Sequence, residues 1–106
     1  MMRNEQEVDI ELTDVNGLLY EKFGRETQWL IAAEECSELT KALLKSIRNS
    51  KFTYSGVYIT PQIIEETAHV MICLNGIYQD MNFDQKVSLI REIERKLILM
   101  KGLLSE

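Results

Sequence analysis

The stretch EECSEL, Glu34 to Leu39, places three carboxylates between apolar flanks, Ile31-Ala32-Ala33 before it and Ala42-Leu43-Leu44 after it. Further on, EETAH, Glu65 to His69, sets another acid and the chain's one histidine at the same spacing. Residues i and i+3 of an α-helix lie roughly 60° apart on one face. Glu35 and Glu38 therefore share a face, as do Glu66 and His69, while Glu34 points elsewhere. An unpaired carboxylate on a core-facing stripe is costly, so these acids call for a cation or an exposed bend. One ExxE pair alone is ordinary on a solvated helix face. Two such pairs on antiparallel helices bring four donors around one cavity, the geometry of a divalent-metal site in a bundle core. Three carboxylates suit Mg²⁺ or Mn²⁺, and the imidazole of His69 shifts the preference towards softer ions.

Beyond Glu38 the same side of the helix continues as Lys41, Lys45 and Arg48, spaced 4-3. Such a run ordinarily forms a solvated flank with helix-stabilising Glu-to-Lys pairs. Beside a metal ion, the same cations can hold phosphate oxygens that the metal does not reach.

The elements that must position these residues read as helices. Pro and Gly are scarce, one and five, and apolar residues recur every three or four positions. A first helix is expected from about Thr13 to Phe23, grouping Val15, Leu18 and Leu19, with Gly24 as its stop. A second runs from about Glu26 to Arg48 with an inner stripe of Ala32, Cys36, Leu39, Leu43 and Ile47. Residues 49 to 60, NSKFTYSGVYIT, break the period and predict an extended loop. Thr60 and Pro61 then read as N-cap and first residue of a third helix reaching about Asp80. Asp84 is the expected cap of a fourth, to about Leu104, whose Ile90, Ile93, Leu97, Met100 and Leu104 repeat at 3-4-3-4. That spacing is a coiled-coil-like seam, suited to the domain's own bundle or to a partner subunit. The expected architecture is one domain spanning 1–106, with an all-α antiparallel bundle of four helices over about 13–104.

Composition narrows the function classes. Hydrophobic residues at 45% with 27% charged residues describe an ordinary globular chain. No apolar run approaches a membrane span, and the polar start MMRNEQEVD lacks the apolar region of a signal peptide, which makes the cytoplasm the expected compartment. A net charge of −5 argues against the broad basic surface of a stable nucleic-acid binder. Cys36 and Cys73 sit singly among apolar residues and read as buried, reduced thiols rather than as a disulfide or zinc pair.

GRETQWLIAAEECSELTKALLK followed by IIEETAHVMICL resembles the MazG-like, all-α nucleoside triphosphate pyrophosphohydrolases, particularly their short single-domain bacterial and phage forms. The likeness covers about Phe23 to Leu104. It implies a four- to five-helix bundle that assembles as a homodimer or homotetramer and binds Mg²⁺ through paired acidic motifs, ExxE then ExxD. It also implies cleavage of an NTP or dNTP to the monophosphate and pyrophosphate. Position by position, Glu35 and Glu38 fall on the first-motif ligands and Glu66 on the first ligand of the second. Glu34 falls on an additional acid that orients or deprotonates the attacking water, so Glu34 and Glu38 are the candidate catalytic acids. His69 stands where the family usually has Asp, which weakens a Mg²⁺ site and leaves open Mn²⁺ activity, an outer-shell imidazole, or nucleotide binding without cleavage. Gln28 and Trp29 are candidates to read and stack on the base, with Trp29 equally suited to core or interface. Lys41, Lys45 and Arg48 are candidates for the phosphates. Phe52, Tyr54 and Tyr58 are placed to close over a substrate.

Two other readings stand beside this one. Glu66 and His69 form the ExxH of ferritin-like di-metal bundles, although a single chain lacks the second histidine such a site requires. A helical oligomerisation module with solvated acids is the non-catalytic alternative.

Overall fold

The computed structural model describes residues 2–53 and 56–105, with the side chains of residues 2–50 and 56–105. It consists of four helices, α1 (Glu5–Phe23), α2 (Arg25–Thr53), α3 (Pro61–Asp80) and α4 (Phe83–Leu104), with no strand among the described residues. The all-α bundle class is as expected; several boundaries are not. α1 starts at Glu5 rather than near Thr13, because Asn4 accepts a hydrogen bond from the Glu7 backbone N–H at 2.9 Å and Glu5 and Glu7 favour the helix's positive end. α2 runs on to Thr53, so the expected loop loses its first five residues to helix. α4 is capped by Asn82 and not by Asp84: the Asn82 side chain accepts from the Gln85 N–H and the Gln85 side chain from the Asn82 N–H, both at 2.9 Å.

Gly24 stops α1 as expected. Its φ of 87° is a left-handed conformation open to glycine, and its N–H reaches Tyr20 O at 2.9 Å. Thr60 and Pro61 begin α3 as read, with Thr60 Oγ1 accepting from the Ile63 N–H at 3.1 Å.

α3 is the central helix, packing chiefly on α2 and also on α1. Arg25 of α2 donates to Asp80 of α3 at 2.6 Å at one end, and Ser46 Oγ donates to Tyr58 O at 3.0 Å just before α3 at the other, so the two helices run antiparallel. The face α2 turns inward is not the expected one. Ala32, Ala42 and Ser46 are buried and Glu35 and Leu39 half-buried, whereas Cys36, Leu43 and Ile47 are exposed. The packed line is therefore Ala32, Glu35, Leu39, Ala42, Ser46, rotated by roughly 60° from the apolar stripe. Small residues at three of its five positions let α3 approach closely.

α1 is likewise turned: Leu12, Thr13, Asn16, Leu19 and Tyr20 face inward and Val15 and Leu18 outward. The cause is Asn16, whose Nδ2 donates to Ile72 O and to Asn75 Oδ1, both at 2.9 Å, pinning α1 to α3. Of the two cysteines, both free thiols, Cys73 is half-buried and Cys36 exposed, so the expectation of burial fails for Cys36 with the stripe that carried it. Tyr58 is exposed; Tyr54 and the Phe52 side chain, the other members of the expected aromatic loop, lie outside the described residues. Among the described residues no helix is long and apolar enough to cross a membrane.

α1 and α3 meet at Gly76, where a Cβ would lie 2.9 Å from Tyr20 Cε1 and 3.3 Å from Asn16 Cγ. Overpacking there, about 1–3 kcal/mol, exceeds the roughly 0.5–1 kcal/mol that alanine gains over glycine in a helix. Gly76→Ala should destabilise the protein by about 1–2 kcal/mol. Gly17→Ala, which points into open space, should stabilise it by about 0.5–1 kcal/mol. Urea unfolding of both variants at one protein concentration checks the pair.

Candidate metal centre

α2 contributes Glu35 and α3 contributes Glu66 and His69 to one cluster, in which one ligand atom from each lies within 4.8 Å of the others. His69 Nδ1 is 2.8 Å from Glu35 Oε2 and 3.6 Å from Glu66 Oε2. The i, i+3 spacing on α3 puts Glu66 and His69 on one side, and the rotation of α2 aims Glu35 at them. Glu66 is the most enclosed, with 12% of its side chain exposed, and its Oε2 is buried with no hydrogen-bond partner.

The electrostatics follow from this crowding. Burial, and then the adjacent Glu35 carboxylate, raise the Glu66 carboxyl above its ordinary value, against the lowering effect of His69. For His69 burial opposes the proton, but the hydrogen bond to Glu35 and the charges of Glu35, Glu66 and Glu65 outweigh it and raise the imidazole pKa. An orphaned buried carboxylate oxygen facing a second carboxylate and an imidazole fits a divalent cation, which would satisfy all three donors at once. The set of two oxygen donors and one nitrogen suits Mn²⁺ or a softer ion at least as well as Mg²⁺.

The other expected site residues surround this cluster without joining it. Glu38 Oε1 accepts from Lys41 Nζ at 3.3 Å. Glu34 is exposed on a different face and, among the described residues, its side chain makes no hydrogen bond or ion pair. Lys45 lines a small cavity with Ser46, Tyr58 and Gln62, and Arg48 is exposed. Trp29 is exposed, with the Arg25 guanidinium 5.5 Å from its ring centroid. Gln28 lines a cavity of about 350 Å³ walled by Leu19, Phe23, Ile31 and Ile72 and floored by Asn16 and Gly76. Ile31 lies one turn before Glu35, and Cys73 one turn after His69, so this cavity adjoins the cluster. Its polar members Asn16 and Tyr20 went unnoticed in the sequence. Asn16 falls in the first turn of a helix expected from Thr13, an ordinary place for Asn, so the sequence carries no signal for its cross-helix role.

Comparison with protein-family models, with curated proteins and with solved structures gives no match for this chain.

Both raised groups stabilise the metal-free protein below their ordinary values, 4.5 for the carboxyl and 6.5 for the imidazole. That contribution is lost as pH climbs through the raised values. A ¹H–¹⁵N titration should find His69 titrating above 6.5 in the metal-free protein and lower in Glu35→Gln. Over the same rise in pH, a divalent cation should raise Tm progressively more, because it competes with protons for these donors. An imidazole that titrates identically in both proteins would refute the coupling.

Proposed function

We propose that the protein is a metal-dependent nucleoside triphosphate pyrophosphohydrolase of the MazG-like kind, cleaving an NTP or dNTP to the monophosphate and pyrophosphate and acting as a homodimer or homotetramer. The observation that carries this reading is the Glu35–Glu66–His69 cluster with its orphaned Glu66 oxygen. Its surroundings support it. On one side of the cluster a largely apolar cavity holding Gln28 lies between α1, α2 and α3, and on the other Lys45 lines a smaller cavity between α2 and the start of α3. That order matches a base, a triphosphate bridgehead and a phosphate tail.

Glu35, Glu66 and His69, with Glu38 one turn away, would hold a divalent cation, which when bound would supply charge neutralisation of the triphosphate and a lowered pKa for water. The chain's own groups do the rest. Gln28 and the apolar walls take the base, and the exposed Trp29, which lines a separate groove beside Arg25, offers a further stacking face. Lys41, Lys45 and Arg48 bind oxygens of the β and γ phosphates, which grow more negative as the bond breaks. Glu38, half-buried one turn after Glu35, accepts the proton of the attacking water, since Glu34 faces away from the cluster. Water oxygen bonds to the α-phosphorus, the bond to the α–β bridging oxygen breaks, and pyrophosphate leaves. Self-association is supported by the many large apolar side chains that one chain leaves exposed, Leu44, Ile64 and Met71 among them.

Incubation with a panel of NTPs and dNTPs plus Mg²⁺ or Mn²⁺ should release pyrophosphate. Glu38→Gln should lower the rate by about 10–100-fold or more, the scale of weakened metal support. His69→Asp should match or exceed the native rate with Mg²⁺, because it restores an oxygen donor. Orthophosphate as first product, or indifference to Glu38→Gln, would overturn the mechanism; tight nucleotide binding without turnover would make this a binding module instead.

A further inference from the structure

α4 leaves the other three helices after its first turns. Lys86 Nζ sits 4.8 Å from the Tyr78 ring centroid, but every residue from Ile90 to Ser105 is exposed. The exposed part carries the seam Ile90, Ile93, Leu97, Met100 and Leu104, with Ile98 and Leu99 adding a second apolar side. A helix apolar on more than one side belongs inside an assembly. Among the described residues, nothing in the chain covers it.

We infer that α4 pairs with α4 of a second copy, antiparallel, with Leu97 packed against Met100 of the second copy and Ile93 against Leu104 of the second copy. The heptad pattern makes the face self-complementary, and its flanking charges select both orientation and register. With Ile90 and Leu97 at position a and Ile93 and Met100 at d, Glu94 and Lys101 fall at e and Lys96 at g. A parallel, in-register pair sets Lys96 against Lys101 of the second copy, twice. An antiparallel pair centred on Arg95 sets Glu94 near Glu94 and Lys96 near Lys96. Sliding that pair along by half a heptad sets Glu94 beside Lys101 on both sides of the twofold axis while keeping every seam residue from Ile93 to Leu104 in a layer. Like charges are then replaced by two attractive pairs. Ile98 and Leu99 remain on the outside of this pair, available to the three-helix bodies. The inference deepens the self-association in the proposal above and does not depend on the catalysis.

The test uses the full chain with Cys36 and Cys73 replaced by Ser. Leu97→Cys and Met100→Cys, mixed and mildly oxidised, should cross-link to each other, whereas Leu97→Cys alone should cross-link poorly. A parallel pair predicts the reverse. In sedimentation equilibrium Lys101→Glu should weaken association about 5–30-fold, two surface attractions becoming repulsions. Glu94→Lys in the same chain should restore it, which also excludes misfolding as the cause. Stronger association of Lys101→Glu, a native chain that sediments as a monomer at micromolar concentration, or an oligomer indifferent to both charges and without the mixed cross-link would each overturn the inference. Neither measurement involves a nucleotide, so its failure is distinct from failure of pyrophosphate release.

Discussion

The α2–α3 contact has to bury carboxylates, and the rest of the structure accommodates that constraint. On α2 the packed line is Ala32, Glu35, Leu39, Ala42 and Ser46, which offers little apolar area and one charge. On α3 the facing residues include Ile63, Glu66 and His69. Burial of Glu66 with an unpartnered oxygen is tolerable only if a proton or a cation supplies the missing charge. The raised pKa values of Glu66 and His69 are the proton version of that answer. A metal ion is the other, and the two compete for the same atoms.

Small residues are what make the constraint workable. Ala32 and Ala42 bring the backbones of α2 and α3 together above and below Glu35, so that its carboxylate reaches His69 at 2.8 Å. Two turns further along α3, Gly76 allows α1 to settle with Asn16 against the helix, where the Asn16 amide closes hydrogen bonds to Ile72 and Asn75. Asn16 is 3% exposed, and a buried amide that bonds across two helices fixes their register more firmly than apolar contact does. The cavity beside the cluster exists because α1, α2 and α3 are held at these fixed separations.

Much of this was legible in the sequence wherever a local rule applied. Thr60-Pro61 and Gly24 marked helix ends through side-chain and backbone geometry alone. Glu35, Glu66 and His69 were recoverable because equal i, i+3 spacings on two successive helices imply a shared face. The inward face of α2 was misread for a physical reason. The stripes through Cys36 and through Glu35 share Ala32 and Leu39 and differ by roughly 60°. Choosing the more apolar one is the right rule for a core that holds no charge, and this core holds one. Asn16 and its partners were invisible, since a residue 56 positions away in the chain accepts its hydrogen bond. The early start of α1 was hidden by a polar first turn whose stability comes from the Asn4 cap rather than from any apolar period.

An interior given over to alanine, serine and acid cannot also supply the hydrophobic stabilisation of a chain this long. Among the described residues no large side chain is fully buried, and Leu43, Leu44, Ile47, Ile64, Met71 and Leu74 all face outward. At roughly 25 cal/mol per Å² of apolar surface removed from water, covering those residues is the largest stabilising contribution still open to the chain. The site and the proposed assembly are therefore linked through composition. Each position on the α2–α3 face occupied by an acid or a small residue is one where a leucine does not pack, and the leucines and isoleucines lie instead on the outer faces and along α4. A chain that places its charge inside and its apolar surface outside meets both demands when a second copy covers that surface, which leaves the acidic groove between α2 and α3 free to be polar.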